Sequence, residues 1–208
     1  MSNNSFYRNG FWYVLGYSYL STQLLQFRYF LGFKLSMLPI HMSGLSYNYK
    51  LKDPFDNIKC IDIGTFLTSL SIPARINSWN ILVQEWLRKC IYERLSTSKA
   101  KARLITFACS AFWHGFYGGY YISFFLIFLQ IQLATLVYKL SKDRKSILVT
   151  IYNKYRSISR FFIWAIITFS FSQSAGYFVT LSLPKCWLIL KSLYFLPPFL
   201  IILMMIVC

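Results

Sequence analysis

A run of 35 residues without a single Asp, Glu, Lys or Arg, residues 104–138, is the strongest constraint on this chain. About 20 apolar residues are enough for one helical crossing of a bilayer, so the run must be broken. Gly118 and Gly119 are the predicted break, and Gly115 adds flexibility just before them. Because basic stretches flank both ends, we expect the run to enter the membrane and return, with His114 near the turning point.

The composition also indicates a membrane protein, because 56% of the residues are hydrophobic and only 13% are charged. The net charge of +16 comes from basic residues placed between apolar runs, which argues against a nucleic-acid-binding domain. Such residues are expected to contact anionic membrane lipids on the cytosolic side. With two histidines and six carboxylates in the whole chain, we predict no metal site.

The predicted fold class is all-α, a single polytopic membrane domain over residues 1–208 with about four or five membrane segments. The first apolar stretch, residues 11–45, is interrupted by Arg28 and Lys34. It is therefore expected to hold one span and part of another. The last stretch, residues 161–208, is long enough to cross twice and is predicted to form a helical hairpin.

Residues 47–103 are predicted to form a membrane-surface region, since they carry ten Lys or Arg against five Asp or Glu, with several Pro and Gly breakers. Within it, residues 79–95 show the pattern of an amphipathic interfacial helix, with Asn77 or Ser78 as its cap. The apolar positions recur at spacings of three and four: Trp79, Leu82, Val83, Trp86 and Cys90.

His114 is the residue with the clearest chemical potential. A polar side chain at membrane depth is either a hydrogen-bonded structural residue or a functional one, and spacing alone does not choose between them. An imidazole is suited to general base catalysis because its pKa lies near neutrality. The chain shows no nucleophile elbow and no glycine-rich phosphate loop, which favours direct transfer without a covalent intermediate.

Two motifs resemble those of the membrane-bound O-acyltransferases, in the lysophospholipid acyltransferase branch. Residues 110–115 read Ser-Ala-Phe-Trp-His-Gly, and Gly-Tyr-Tyr follows closely at residues 119–121. Upstream, residues 77–81 read Asn-Ser-Trp-Asn-Ile, and similarity continues to residues 92–94. The resemblance implies the C-terminal half of that fold, in a shortened version, because members of the family are usually about twice this long.

The resemblance implies that His114 and Asn80 are the catalytic residues. His114 would activate the free hydroxyl of a lysophospholipid for attack on acyl-CoA, and Asn80 would orient substrate or stabilise developing charge. Acyl-CoA would be a co-substrate, no cofactor would be needed, and the protein would reside in the endoplasmic reticulum membrane. Without the resemblance, Asn80 is better explained as a first-turn residue of the amphipathic helix.

Further residues near these motifs are candidates for substrate binding. Aromatic side chains beside His114 are candidates for an acyl tunnel, although packing and interfacial anchoring explain such residues equally well. Arg94 is a candidate for contact with phosphate, although surface charges beside a bilayer usually meet anionic lipids. The aromatic candidates are Trp113, Tyr117, Tyr120 and Tyr121.

Two alternatives to a lysophospholipid acyltransferase remain at this stage. One is an enzyme of the same family that acylates a protein or a sterol hydroxyl. The other is a non-catalytic, truncated membrane protein that binds lipid, which the length of the chain favours.

Overall fold

The computed structural model describes residues 9–140 and 152–194, and these two ranges contain helices and no strands. A short 3-10 turn, Tyr92–Arg94, follows the helix Ile81–Cys90. The helices are α1 (Phe11–Met42), α2 (Ile63–Thr68), α3 (Ile72–Ser78), α4 (Ile81–Cys90), α5 (Lys99–His114), α6 (Gly118–Leu140), α7 (Arg156–Thr180) and α8 (Leu183–Ser192).

The first apolar stretch forms one continuous helix, α1, so the prediction of one span and part of another is wrong. Arg28 and Lys34 are both exposed on its outer side, where their charges do not interrupt the backbone hydrogen bonds. Pro39 lies in the last turn, close to the end of the helix, and α1 ends at Met42.

Residues 47–103 contain the short helices α2, α3 and α4, and part of this region is buried. Asp62 caps α2 by accepting a hydrogen bond from the Thr65 amide at 3.0 Å, and the Ser71 hydroxyl accepts from the first turn of α3. Phe66 and Ile76 pack into a core with Phe30 of α1, Ile131 of α6 and Phe171 of α7. Part of the region therefore packs against the bundle, whereas the excess of basic residues had predicted a membrane-surface region throughout.

The predicted amphipathic helix over residues 79–95 is shorter than expected, because α4 spans only Ile81–Cys90 and a 3-10 turn follows. Asn77 and Ser78 do not cap it, since both belong to the last turn of α3. Trp79 packs inward at 5.3 Å from Phe33 and 5.1 Å from Phe66, measured between ring centroids. Its apolar character reflects this core contact and not a helical stripe.

Helices α5 and α6 are antiparallel neighbours joined at residues 115–117. Phe107 of α5 lies beside Phe124 and Phe128 of α6, at ring-centroid distances of 6.1 and 6.5 Å. The break in the charge-free run begins at Gly115, whose φ of 127° and ψ of −175° place it in a region essentially restricted to glycine. Gly118 and Gly119, the predicted break, instead form the first turn of α6.

Helices α6 and α7 pack side by side in the middle of the described bundle. Both are long and apolar enough to cross a membrane, with mean hydropathies of 1.8 and 1.3 over 18-residue windows within Gly118–Lys139 and Arg156–Thr180. The Gln130 amide donates to the Ser174 hydroxyl at 2.8 Å, which joins the two helices through a buried polar contact. Helix α8 follows after a turn at residues 181–182, and the predicted hairpin beyond residue 194 lies outside the described residues.

Candidate active site

One cavity of about 170 Å³ lies between α1, the α3–α4 junction, α5, α6 and α7. Its wall is mainly aliphatic and aromatic, and among the described residues none that line it is Lys, Arg, Asp or Glu. His114 and Asn80, which are 34 positions apart in the chain, both line it. A largely apolar cavity with a few polar groups is the usual form of a small-molecule site.

His114 is positioned by the end of α5 and by aromatic side chains around it. It is the last residue of α5, and the Gly115 amide closes the helix by bonding to Ala111 and Phe112 carbonyls at 3.2 and 3.0 Å. Its ring stacks on Phe124 at 5.4 Å and meets Phe178 edge-on at 5.0 Å, between ring centroids. Rigid aromatic neighbours therefore restrict the orientation of the imidazole.

Asn80 is held in a left-handed backbone conformation, with φ 46° and ψ 54°. It occupies the N-cap position of α4, but its side chain makes no capping hydrogen bond. One backbone hydrogen bond on each side of Asn80 fixes this turn: the Asp62 amide donates to the Ser78 carbonyl at 2.9 Å, and the Ile81 amide donates to the Cys60 carbonyl at 2.7 Å. Asparagine tolerates this conformation better than most residues, and its amide is left free for a ligand.

Neither the His114 imidazole nor the Asn80 amide makes a hydrogen bond within residues 9–140 and 152–194. The two side chains are partly buried and line the same space, so each has a free polar group available to a bound molecule. An imidazole can take up a proton and an amide can donate to a carbonyl oxygen. The pair therefore combines a potential base with a potential donor to developing negative charge.

The other predicted substrate-binding residues do not line this cavity. Tyr120 is the nearest, because its ring lies 5.5 Å from His114 and 4.6 Å from Phe178, and it supports the imidazole from the side. Trp113 and Tyr117 are more than half exposed, and Tyr121 also keeps substantial exposure. Trp113 and Tyr121 lie on other faces of α5 and α6, since successive residues of a helix turn about its axis, and Tyr117 lies in the link between these helices.

Arg94 also lies outside the cavity. It is exposed in the 3-10 turn after α4, where its Nε donates to the Lys89 carbonyl at 3.4 Å. Arg88, one turn from the end of α4, forms surface ion pairs with Glu85 and Glu93. Contacts of this kind fit a solvated or headgroup-facing surface.

Sequence reasoning missed several polar residues of the cavity wall, among them Gln26, Ser110 and Ser123. Two signals pointed to them. Ser110 lies four residues before His114, and therefore on the same face of α5. Gln26 is a polar residue within an apolar helix, four positions after Thr22, which also lines the cavity.

The fold and the cavity together define an all-helical membrane protein with a histidine and an asparagine in one apolar site. The family model described as "MBOAT, membrane-bound O-acyltransferase family" matches residues 1–179. The chain belongs to the membrane-bound O-acyltransferase family.

Curated relatives agree with this assignment. The chain is 34% identical to lysophospholipid acyltransferase 6 of Drosophila melanogaster over 125 residues, which are 59% of this chain and 16% of the relative. It is 29% identical to lysophospholipid acyltransferase 2 of Arabidopsis thaliana over 90% of this chain and 41% of the relative. The match to the Saccharomyces cerevisiae lysophospholipid acyltransferase is 30% identical over 60% of this chain and 21% of that protein. The chain thus spans less than half the length of these relatives.

Proposed function

We propose that the protein transfers a fatty acyl group from acyl-CoA to the free hydroxyl of a lysophospholipid. The observation that carries this proposal is the presence of His114 and Asn80 in one apolar cavity, with no hydrogen bond to occupy either side chain among the described residues. Family membership supports acyl transfer to oxygen, and the names of the relatives support a lysophospholipid acceptor.

In the proposed reaction, the acceptor hydroxyl oxygen attacks the carbonyl carbon of the thioester. A C–O bond forms and the C–S bond breaks. His114 takes the proton of the hydroxyl as attack proceeds and returns it to the departing sulfur, so that the products are a phospholipid and the free thiol of CoA. The Asn80 amide donates a hydrogen bond to the carbonyl oxygen while it gains negative charge.

The apolar wall suits this chemistry in two ways. It accommodates a fatty acyl chain, since its side chains are mainly aliphatic and aromatic. It also keeps water from competing with the acceptor hydroxyl and strengthens the hydrogen bond from Asn80 in a medium of low polarity. We further propose a multi-pass protein of the endoplasmic reticulum membrane, in which α6 and α7 are two of the spans.

The test is acyl transfer in microsomes that express the chain, together with any N-terminally longer form that its transcript encodes. Labelled oleoyl-CoA and a panel of lysophospholipids serve as substrates. His114→Ala is expected to lower the rate by about 10²- to 10⁴-fold, because it removes the base. His41→Ala is the matched control, since this second histidine bonds to the Ser46 hydroxyl at 2.6 Å, outside the cavity.

Asn80→Gly removes the side-chain amide but keeps the left-handed backbone turn, so it tests the amide alone. Glycine adopts the left-handed conformation without strain, so the fold is expected to persist while the rate falls by about 10²- to 10³-fold. If the folded protein acylates no lysophospholipid, or if His114→Ala retains full activity, the proposal fails. Acylation of a protein or sterol instead, by the same two residues, is the second candidate function, because His114 and Asn80 by themselves do not select the acceptor.

A further inference from the structure

Three buried polar side chains of the cavity have no partner of their own. Gln26 is 7% exposed, Ser110 is 5% exposed and Ser123 is 1% exposed, and all three line the cavity. None makes a hydrogen bond within the described parts of the chain. An amide or hydroxyl that lines an apolar cavity without a protein partner is available to a bound ligand with matching oxygen atoms.

The two serines differ from most other helical hydroxyls in this protein. Thr106 of α5 donates to the Ala102 carbonyl at 2.7 Å, and Thr135 of α6 donates to the Ile131 carbonyl at 2.9 Å. Such bonds to the preceding turn are the usual way for a helical hydroxyl to be satisfied. Ser110 and Ser123 on the same two helices make no such bond, which leaves their hydroxyls available to the cavity.

The chemistry of these groups selects an uncharged polar ligand. An amide and two hydroxyls donate and accept hydrogen bonds but carry no charge, and no described residue of the cavity wall is charged. A phosphate placed there would lose its hydration without gaining a cation. Ester and hydroxyl oxygens of a glyceryl group meet the requirement.

A second groove indicates on which side of the cavity the phosphates of acyl-CoA, the proposed donor, lie. It shares Ile76, Gln84, Leu87 and Phe107 with the cavity, and it is also lined by Glu85, Arg88 and Arg103. Arg88 is already paired with Glu85, so Arg103 is the guanidinium of this groove that can favour a phosphate of the donor. Gln26, Ser110 and Ser123 do not line the second groove, so they belong to a part of the cavity wall that the groove does not share.

We propose that Gln26, Ser110 and Ser123 form a neutral subsite that hydrogen-bonds the glyceryl oxygens of the acceptor lipid, including its ester carbonyl, while the acceptor phosphate stays outside the cavity. The subsite rests on the proposed function for the identity of the acceptor. Ser110 lies one helical turn before His114, so a glyceryl group bound there presents its free hydroxyl close to the imidazole.

The first test measures binding and does not depend on turnover. Purified protein is titrated with 1-palmitoyl lysophosphatidylcholine and with its 1-O-hexadecyl ether analogue, which lacks the ester carbonyl. The ester is expected to bind about five-fold more tightly, as one net hydrogen bond predicts. In Gln26→Met, which keeps the length of the side chain but removes the amide, the two dissociation constants are expected to become equal.

Gln132→Met is the matched control, because Gln132 has a buried amide nitrogen without a partner and does not line the cavity. It is expected to keep the preference for the ester. Ser110→Ala and Ser123→Ala are each expected to weaken binding of both lipids by about two- to five-fold, whereas Ser172→Ala, a buried serine away from the cavity, leaves it unchanged.

An unchanged ester preference in Gln26→Met overturns the subsite. So does a wild-type protein that binds ester and ether equally. A rise in the KM for oleoyl-CoA, with the KM for the acceptor unchanged, assigns the three residues to the donor and also overturns it. Loss of acyl transfer with the ester preference intact counts against the proposed function alone.

Discussion

His114 and Asn80 line the same cavity, but different kinds of contact hold them. His114 is the last residue of α5, and the Gly115 that follows it adopts a backbone conformation essentially restricted to glycine. The His114 ring contacts aromatic rings, most of them within ten positions along the chain. Asn80 depends on backbone hydrogen bonds that its neighbours Ile81 and Ser78 form with Cys60 and Asp62, about 20 positions earlier. The position of the imidazole is therefore set mainly by local sequence, and that of the amide by the folding of a whole region onto the bundle.

The largest effect expected on the His114 side comes from Gly119→Ala. A β-carbon at this position would meet the Tyr177 carbonyl oxygen and lie 2.8 Å from the backbone of Leu181, neither of which can move easily. We expect a loss of about 3 kcal/mol in the free energy of unfolding. Thermal unfolding in detergent measures it.

The control for this prediction is Gly32→Ala in α1, where nothing lies within 4 Å of the added β-carbon. It is expected to leave stability unchanged or raise it by roughly 0.5–1 kcal/mol, because alanine favours helix. Equal effects of the two substitutions would show that the close approach of α6 to α7 is not required.

The next largest effect tests how the Asn80 region is attached. Arg75 is 2% exposed and donates to the Ser69 carbonyl and the Thr168 hydroxyl, each at 2.8 Å, so it joins α3 to α7. Arg75→Met leaves these acceptors unpaired and is expected to cost about 2 kcal/mol. Arg88→Met, which removes only exposed ion pairs, is expected to cost less than about 1 kcal/mol.

If the region positions Asn80, Arg75→Met also lowers acyl transfer in protein that remains folded. Activity at the wild-type rate, despite lower stability, would mean that the turn at Asn80 forms without the link between α3 and α7.

A smaller effect on stability, with a marked effect on activity, is expected for Gly115→Ala. The backbone conformation of Gly115 is unfavourable for any residue with a β-carbon, and the cost is about 1.5 kcal/mol. Relief of this strain would displace His114, so acyl transfer should fall more than stability does. Gly44→Ala, at a φ of 75° outside the site, is the control and should leave the specific activity of folded protein intact.

The smallest effect concerns Asp62, next to the segment that holds Asn80. The hydrogen bond from the Thr65 amide, followed by weaker contributions from the Thr65 hydroxyl and Lys59, holds the pKa of Asp62 below its ordinary value of 3.8. Because the folded pKa is the lower one, this stabilisation is complete above that ordinary value. It is lost as the pH falls through the folded pKa.

Asp62→Ala is expected to cost about 1 kcal/mol at neutral pH, through the loss of the helix cap. Unfolding measured from pH 7 to pH 3 should show a smaller acid-dependent loss in Asp62→Asn than in the wild type. An identical pH profile would exclude Asp62 as a contributor to acid sensitivity.

Much of the site was predicted from sequence, but its wall was not. The motif around His114 and the segment around Asn80 were identified because each carries a local pattern of residues. The predicted tunnel residues Trp113, Tyr117 and Tyr121 do not line this cavity, because an aromatic side chain close to His114 in sequence need not point in the same direction. Gln26 was missed because its burial depends on α1 packing against α7.

Helix ends were also hard to predict. Gly118 and Gly119 resemble a break by composition, yet they serve the close approach of α6 to the α7–α8 turn, where the Gly119 amide donates to the Leu181 carbonyl at 2.9 Å. Trp79 fitted a helical stripe by spacing, but it packs among the rings of Phe30, Phe33 and Phe66. In both cases the partner lies far away in the chain.

The sequence by itself determined that the chain is helical and apolar, that residues 104–138 must be interrupted, and which two motifs carry the candidate chemistry. These properties follow from hydropathy, glycine content and local spacing, which do not depend on the rest of the fold. Only the tertiary structure decided that Asn80 and His114 share a cavity, and that Gln26 faces it with Ser110 and Ser123. These are contacts between remote segments, and they form when several helices bury their side chains together.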